Sequence, residues 1–404
     1  MTKQMKLFAL LAAIILAATG VVAQTHQHGS MPAGDGSFNP FVVSDNRGGF
    51  YLAFIQRSNS ASNVMLRSSV DGKNFSDPVR VNDLPGDATV RNENPPKVAV
   101  GPNGDVYVCW ANETAKWKGN IRFTHSTDGG KSFLPAITLN SDAGGSPTGH
   151  AFQSIAVDRR GRIFVTWIDE RRKNSTDRGA EIWLSTSEDR GKTFSRDRRI
   201  LSDVCECCRT NIQIDSAGRL FLSYRTVPRK GAMYRDIVVA RSTDAGISFK
   251  TTTVSADGWD INACPVTGPA LCLDSRDQIH VVWFTGGGEK PGLYYATSGD
   301  HGASYSPRKP LDPDQKLGKH AQAISQQDGK ILVTWDDQLE GPVTFFGILD
   351  QITGLKRRRL AHEHLSYPTL AANKTVAIIA GLAGSNEVLL IAEPIADEAS
   401  TRKQ

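Results

Sequence analysis

The sequence is short of cysteine, of charge of one sign and of long apolar runs, and each shortage removes a class of protein. Six cysteines in 404 residues are too few for a disulfide scaffold, so Cys109, Cys205, Cys207, Cys208, Cys264 and Cys272 need individual explanations. Lysine and arginine outnumber aspartate and glutamate by only 47 to 42, a formal charge of +5, and the densest basic block is Lys356 to Arg359. Neither makes a nucleic-acid groove, which excludes nucleic acid as a partner. Beyond the first two dozen residues no segment is apolar enough to cross a bilayer, so no membrane span is expected.

The one apolar run is N-terminal. In MTKQMKLFALLAAIILAATGVVAQ, Lys3 and Lys6 precede apolar residues from Leu7 to Ala18, followed by the small residues Val21, Val22 and Ala23. This is the pattern of a secretory signal over residues 1–23, cleaved near Ala23, with no cysteine placed for a lipid anchor. A periplasmic or secreted protein is expected, in a compartment where thiols oxidise. Residues 24–37 then read as a flexible arm whose His26, His28 and Met31 offer soft metal ligands, residues 38–396 as one domain, and residues 397–404 as a tail.

A repeat runs through that domain. Its unit is a short apolar strand, a tight turn holding Asp, Asn or Gly, and a second apolar strand ending in an aromatic: KVAVGPNGDVYVCW, SIAVDRRGRIFVTW, NIQIDSAGRLFLSY and ALCLDSRDQIHVVW. FVVSDNRGGFYLAF, AISQQDGKILVTW and TLAANKTVAIIAG are weaker copies, which makes seven hairpins. After each of the first five come a third strand and a second motif, as in IRFTHSTDGGKSF and IWLSTSEDRGKTF.

The motifs on Asp128, Asp189, Asp244 and Asp300 fit Ser-x-Asp-x-Gly-x-x-aromatic, and the one on Asp71 is a residue short. Each carboxylate can accept N–H bonds within its own turn while the glycine supplies a positive φ and the aromatic packs beneath. These five aspartates are therefore structural, folding the link between the third and fourth strands of a blade-sized sheet. The motif resembles the Asp-box, or BNR repeat, of the sialidase-like propellers, with the likeness running from residue 38 to about 310. The expected fold class is all-β, a β-propeller of four-stranded antiparallel blades, seven by the hairpin count, with the six of sialidases as the alternative. Residues 364 to 393 show only three strands, and a strand from near the N-terminus would complete that blade and clasp the ring.

The resemblance implies a sialidase site: an arginine triad on the sugar carboxylate, a tyrosine nucleophile paired with glutamate, and an aspartate acid/base. The Arg-Ile-Pro motif that carries the first arginine there is absent from this chain. Its nearest segment, residues 149 to 194, offers His150 where that arginine is wanted, and an imidazole does not replace a forked guanidinium. Asp177 falls near the acid/base position, beside Glu170 and Arg171, and all three also read as a solvated charged loop. Tyr224, Tyr294 and Tyr295 stand in no motif that selects a nucleophile, and strand tyrosines more often pack.

In a propeller the innermost strands line a central channel, and the loops leading into them gather on one face. Here those lead-ins carry Arg91 and Glu93, His150, the run Cys205 to Arg209, Asn262 and Cys264, His320, and His364 with Tyr367. Arg91, Glu93, His150, Arg209 and His320 are the candidate ligand contacts, with Arg91 and Arg209 suited to an anion or to Glu93 and Glu206. Trp117, between second and third strands, reads as a sugar platform or a blade cap. Cys205, Cys207 and Cys208 face Cys264 from the adjacent blade, so a disulfide to Cys264 is geometrically plausible. A thiolate site for copper or zinc with His150 or His320, and redox exchange, stay open beside it. The redox reading fits loosely, for want of a helix start and of the usual two-residue spacer. Cys109 and Cys272 read as buried strand residues.

The expected function is binding of a glycan, another polar ligand or a protein through the channel-mouth face, by a monomer without a resident cofactor. A glycoside hydrolase with an altered site and a soft-metal-binding protein are the alternatives.

Overall fold

The structure, a computed structural model, describes residues 30–395 apart from 60, 92, 146–147, 174–178, 229–232, 289, 313–316, 338–342, 351–353 and 361–364. Its strands form seven four-stranded antiparallel sheets. Blade 1 holds β2 (Ser37–Ser44), β3 (Phe50–Ser58), β4 (Ala61–Ser69) and β5 (Val79–Arg80). Blade 2 holds β6 (Lys97–Val100), β7 (Val106–Ala115), β8 (Lys118–Ser126) and β9 (Ile137–Thr138); blade 3 holds β10 (His150–Val157), β11 (Ile163–Asp169), β12 (Ala180–Ser187) and β13 (Arg198–Val204). Blade 4 holds β14 (Asn211–Ile214), β15 (Leu220–Arg225), β16 (Ile237–Ser242) and β17 (Lys250–Ser255); blade 5 holds β18 (Ala270–Leu273), β19 (Ile279–Thr285), β20 (Gly292–Ser298) and β21 (Lys309–Pro310). Blade 6 holds β22 (Gly318–Ser325), β23 (Ile331–Asp337), β24 (Val343–Asp350) and β25 (Gly354–Arg359).

Blade 7 is built from both ends of the chain. β26 (Leu365–Ala372), β27 (Val376–Ala383) and β28 (Glu387–Pro394) follow in order, and β1 (Ser30–Asp35) pairs antiparallel with β28, Met31 opposite Leu390. The expected clasp is present, and the count is seven rather than six. Residues 30–35 of the stretch expected to be a flexible arm are therefore an outer strand. Their backbone satisfies an edge of β28 that would otherwise lie open, and Met31 and Ala33 pack on the core between blades 7 and 1.

The hydrophobic pattern places the core between blades. Each junction holds its own cluster, for example Leu66 and Val81 with Val98 and Val108 between blades 1 and 2, or Val42 and Phe54 with Ile378 and Leu390 between blades 7 and 1. Seven such clusters close the circle. The aromatic that ends the second strand of a hairpin is a buried filler in them: Trp110, Trp167, Trp283 and Trp335 are all within 1% of full burial.

The Ser-x-Asp turns join third to fourth strands, as expected. In blade 2, Asp128 Oδ1 accepts from Ser126 Oγ (2.6 Å) and from the amides of Lys131 and Ser132 (both 3.0 Å), while the Gly130 amide donates to Ser126 Oγ at 2.8 Å. Asp71, Asp189, Asp244 and Asp300 accept the equivalent bonds in their own blades. Because strands alternate in direction, these turns lie on the face opposite the innermost-strand lead-ins. No helix occurs among the described residues, hence none long and apolar enough to cross a membrane.

Candidate functional site on the channel-mouth face

Strand alternation brings two kinds of connection to one face: the lead-ins to innermost strands and the loops between second and third strands. Four innermost strands, β2, β10, β22 and β26, carry a bulge at this end. The first bulged residues are Asn39, Phe152, His320 and Tyr367, with φ of 51°, 54°, 51° and 54°. A bulge turns the strand and re-aims its side chains, and here it helps several of them meet at the axis. Asn39, Glu93, Lys97, Arg209 and Tyr367, from four blades, line a single void of about 20 Å³.

Around that void a charged network plugs the channel. Glu93 Oε1 lies 3.2 Å from Arg209 Nη1 and 3.8 Å from His320 Nε2. His320 Nδ1 is 2.7 Å from Asp336 Oδ1, its ring sits 4.4 Å from that of Tyr367, and the Tyr367 amide donates to Asp336 Oδ2 at 3.1 Å. Arg209 Nη2 also donates to the carbonyls of Gly268 (3.3 Å) and Ala321. Glycine is required at 268, since a Cβ there would stand 2.1 Å from the Arg209 carbonyl oxygen. Burial pushes the Glu93 carboxyl up, against the pull of Arg209 and His320. Burial draws the His320 imidazole down, but the Asp336 and Glu93 carboxylates outweigh it and hold it above its ordinary range. Lys97, below the plug with its Nζ 4.0 Å from the Phe41 ring centre, is brought down to about 7 by burial and the Arg209 charge.

Glu93, Arg209 and His320 were expected as ligand contacts, yet they are 3%, 6% and 3% exposed. Convergence on the axis holds; accessibility does not, because these side chains lie beneath the mouth, where they satisfy one another. His150 likewise faces inward, 4% exposed. Its Nδ1 donates to the Gly119 carbonyl at 2.7 Å and its Nε2 lies 3.2 Å from both Asp142 Oδ1 and Asp169 Oδ2. Burial alone would lower this imidazole, but Asp169 and Asp142 hold it above its ordinary range.

Arg171 belongs to the same network. It pairs with Asp169 at 2.7 Å and Asp197 at 2.6 Å, with its guanidinium 3.8 Å from the Trp183 ring centre. The solvated-loop reading is therefore corrected for Arg171: these neighbours lie within blade 3, and Ser141 Oγ (3.3 Å) and Asp142 (3.4 Å), in the link from blade 2, join them. Asp177, His364, His26 and His28 lie outside the described residues. Tyr224 is buried in the cluster between blades 3 and 4, Tyr294 donates to the Lys290 carbonyl (2.7 Å), and the Tyr295 hydroxyl lies 2.9 Å from His280 Nδ1. All three are engaged, by packing or by a hydrogen bond.

What the face does present is a cavity of about 800 Å³ above the plug. Arg91, Phe152, Glu170, Glu206 and the Cys207–Cys264 pair line it, together with Glu113 near the end of β7 and Lys116 and Trp117 from the turn between β7 and β8. Trp117 is 54% exposed, an unusual state for an indole. The Arg91 guanidinium stands 4.5 Å from its ring centre and 5.2 Å from that of Phe152. Burial lowers Arg91 from its ordinary value, opposed by Glu113 and Glu170. Lys173 Nζ lies 3.2 Å from Glu170 Oε1 and 3.7 Å from Glu206 Oε1, so both carboxylates meet at one edge of the cavity. Arg91 is the one arginine among the described residues lining it.

The expected disulfide to Cys264 is formed by Cys207, with Cα atoms 6.1 Å apart, stapling the lead-ins of blades 4 and 5. Cys109 and Cys272 are buried strand thiols in separate clusters. The sulfurs of Cys205, Cys207 and Cys208 lie within 4.8 Å of one another, but a disulfide sulfur is no thiolate ligand, and His150 and His320 are held by carboxylates. These residues do not fit copper or zinc while Cys207 is bonded to Cys264.

Sequence reasoning overlooked Asp336, Asp169 and Lys97, which decide the electrostatics beneath the face. One signal was present: Asp169 and Asp336 both lie at the ends of second strands, within two residues after the repeated tryptophan, in TWID and TWDD, each in a blade whose lead-in bears a histidine.

No protein-family model matches the chain, and no curated protein matches it in sequence. Solved structures do match in shape. An ulvan lyase, a polysaccharide lyase bound to a glucuronate–sulfated rhamnose unit, aligns with a TM-score of 0.59 at 12% identity over 88% of this chain and 93% of its own. The NanB sialidase of Streptococcus pneumoniae gives 0.51 at 12% identity over 91% and 94%. A protein of unknown function from Dyadobacter fermentans gives 0.54 at 14% identity over 89% and 95%. At such identities the likeness is one of fold: the chain is a seven-bladed, all-β propeller similar to those of sialidases and polysaccharide lyases.

Proposed function

We propose that the protein binds a polysaccharide or glycan chain in the cavity on the channel-mouth face, with Trp117 as the stacking platform. The observation that carries this reading is the half-exposed Trp117 indole, set on the Arg91 guanidinium at 4.5 Å beside a cavity of about 800 Å³. An indole face accepts the C–H face of a sugar ring. Arg91 and Lys116 suit carboxylate or sulfate groups, and Glu113, Glu170 and Glu206 suit hydroxyls. Of the residues expected to contact ligand, Arg91 keeps that role, while Glu93, Arg209, His320 and His150 are buried and do not line the cavity.

The test is affinity electrophoresis and calorimetry against neutral, uronate-bearing and sulfated polysaccharides. Trp117→Ala is expected to weaken binding at least about tenfold, equivalent to about 1.4 kcal/mol, and Arg91→Gln to weaken the anionic polysaccharides more than the neutral ones. Unchanged affinity in both variants would overturn the reading. Cleavage of the bound chain is a second reading, favoured by Glu170 and Glu206 meeting at Lys173 on the cavity edge. Release of new chain ends, lost in Glu170→Gln or Glu206→Gln, would support it.

A further inference from the structure

The loop from Cys205 to Arg209 holds a pair of sulfurs that polysaccharide binding does not use. Cys205 and Cys208 are in fact two residues apart in the chain, with Glu206 and Cys207 between them, so the spacer thought to be missing exists within this pair. Their Sγ atoms are 2.8 Å apart, and Cys205 Sγ lies 3.6 Å from Cys207 Sγ. Two thiolates sharing a tetrahedral metal with bonds of about 2.3 Å stand about 3.8 Å from each other, whereas a disulfide holds its sulfurs at about 2.05 Å. A separation of 2.8 Å is too close for the first and a small side-chain rotation from the second.

The surroundings favour a nucleophile at Cys205. Arg235 Nη1 donates to its sulfur at 3.0 Å and Nε to the Ile261 carbonyl at 3.2 Å. Arg225, fully buried nearby, donates to the carbonyls of Thr267, Arg235 and Phe284. Cationic donors beside a thiol stabilise its thiolate. Burial raises the Cys205 thiol, but the Cys208 bond and the Arg235 charge bring it below its ordinary value, while burial keeps Cys208 well above. The sulfurs are also graded from solvent inward: Cys264 is exposed, Cys207 lies in the cavity wall at 8%, and Cys205 and Cys208 are buried behind it.

We propose that Cys205 and Cys208 are a thiol–disulfide exchange pair that acts on the Cys207–Cys264 bond and, through it, on small thiols and disulfides entering the cavity. The Cys205 thiolate attacks Cys207 Sγ; the Cys205–Cys207 bond forms as the Cys207–Cys264 bond breaks, and the electron pair leaves on Cys264, at the solvent side. Cys208 then attacks Cys205 Sγ and passes its proton to the departing Cys207. One disulfide, one thiol and one thiolate exist before and after, so the exchange needs no oxidant. It moves the bond from the blade 4–blade 5 staple into the Cys205–Cys208 pair and frees Cys207 and Cys264. A small disulfide from solution then reoxidises those two, with release of two equivalents of its thiol.

The experiment equilibrates the intact protein across ratios of oxidised to reduced dithiothreitol, quenches with acid, alkylates under denaturing conditions and assigns labels by peptide mass. At intermediate ratios the expected species carries one label on Cys264, one on Cys207 and an internal Cys205–Cys208 disulfide, with Cys109 and Cys272 as thiols throughout. In Cys264→Ser the internal disulfide is expected with Cys207 free, and it is lost in Cys264→Ser combined with Cys208→Ser. Independent labelling of Cys205 and Cys208 at every ratio, in wild type and in Cys264→Ser, would overturn the proposal. So would stoichiometric copper or zinc protecting the four sulfurs of the reduced protein. The wild-type measurement stands even if a variant does not fold.

Discussion

Arg209 shows how a residue can be placed correctly by sequence and misjudged in role. Its position in the lead-in to blade 4 follows from the repeat, and so does its meeting with Glu93 from blade 2. What the repeat does not carry is depth. Depth is set by partners from other blades: the Gly268 and Ala321 carbonyls that Arg209 meets, and, across Glu93, His320, which sits at a bulge with left-handed backbone and is not the glycine that would advertise one. Once buried, the pair behaves as a buried charge pair does: truncating one member leaves the other uncompensated. Arg209→Ala is therefore expected to destabilise the fold by about 3–5 kcal/mol in urea unfolding, with Glu93 left with His320 and the Gly268 amide. The combined Arg209→Met and Glu93→Leu protein is expected to recover most of that loss. A cost below about 1 kcal/mol for the single variant would show that Glu93 is satisfied by other means.

The Ser-x-Asp turn is the element most legible in the sequence, because every bond that makes it lies within five residues. Asp189 Oδ1 and Oδ2 accept from Ser187 Oγ (2.9 Å), the Thr193 amide (2.9 Å) and Thr193 Oγ1 (2.6 Å), and Asp244 repeats this with Ser242 and Ser248. The networks at His150 and His320 were illegible for the opposite reason, since their partners come from other strands and other blades. The turn's hydrogen bonds hold both carboxyls down at about 2, against an ordinary value of about 3.9. A lowered folded-state value means stability that is full above about pH 4 and lost as pH falls through about 2. The thermal midpoint of wild type should exceed that of Asp189→Asn combined with Asp244→Asn at pH 6, and the gap should close toward pH 2. A gap that stays constant with pH would assign these turns no electrostatic share.

At the scale of the ring, the sequence shows seven hairpins and leaves one of them a strand short, and closure is where that deficit is resolved. A toroid of sheets covers the faces of every blade because each inter-blade cluster is shared, yet one blade must be completed by a strand from the other end of the chain. Composition hid that strand: SMPAGD, residues 30–35, has little strand propensity and no alternation. It is held by pairing with β28, by Met31 and Ala33 on the core, and by the Ser37 hydroxyl, which accepts from the Val388 amide at 2.8 Å. Removing residues 30–35 should leave Val388 to Ile391 as an unpaired apolar edge between blades 6 and 1. The expected outcome is a lower thermal midpoint together with concentration-dependent association in light scattering, since such an edge recruits another strand. Meanwhile Phe50→Ala, in the same inter-blade cluster, should lower the midpoint without association, because a cavity in the core exposes no backbone. If the truncated protein stayed monomeric with an unchanged midpoint while Phe50→Ala lowered it, the ring would be held by its apolar clusters alone and β1 would add nothing to closure.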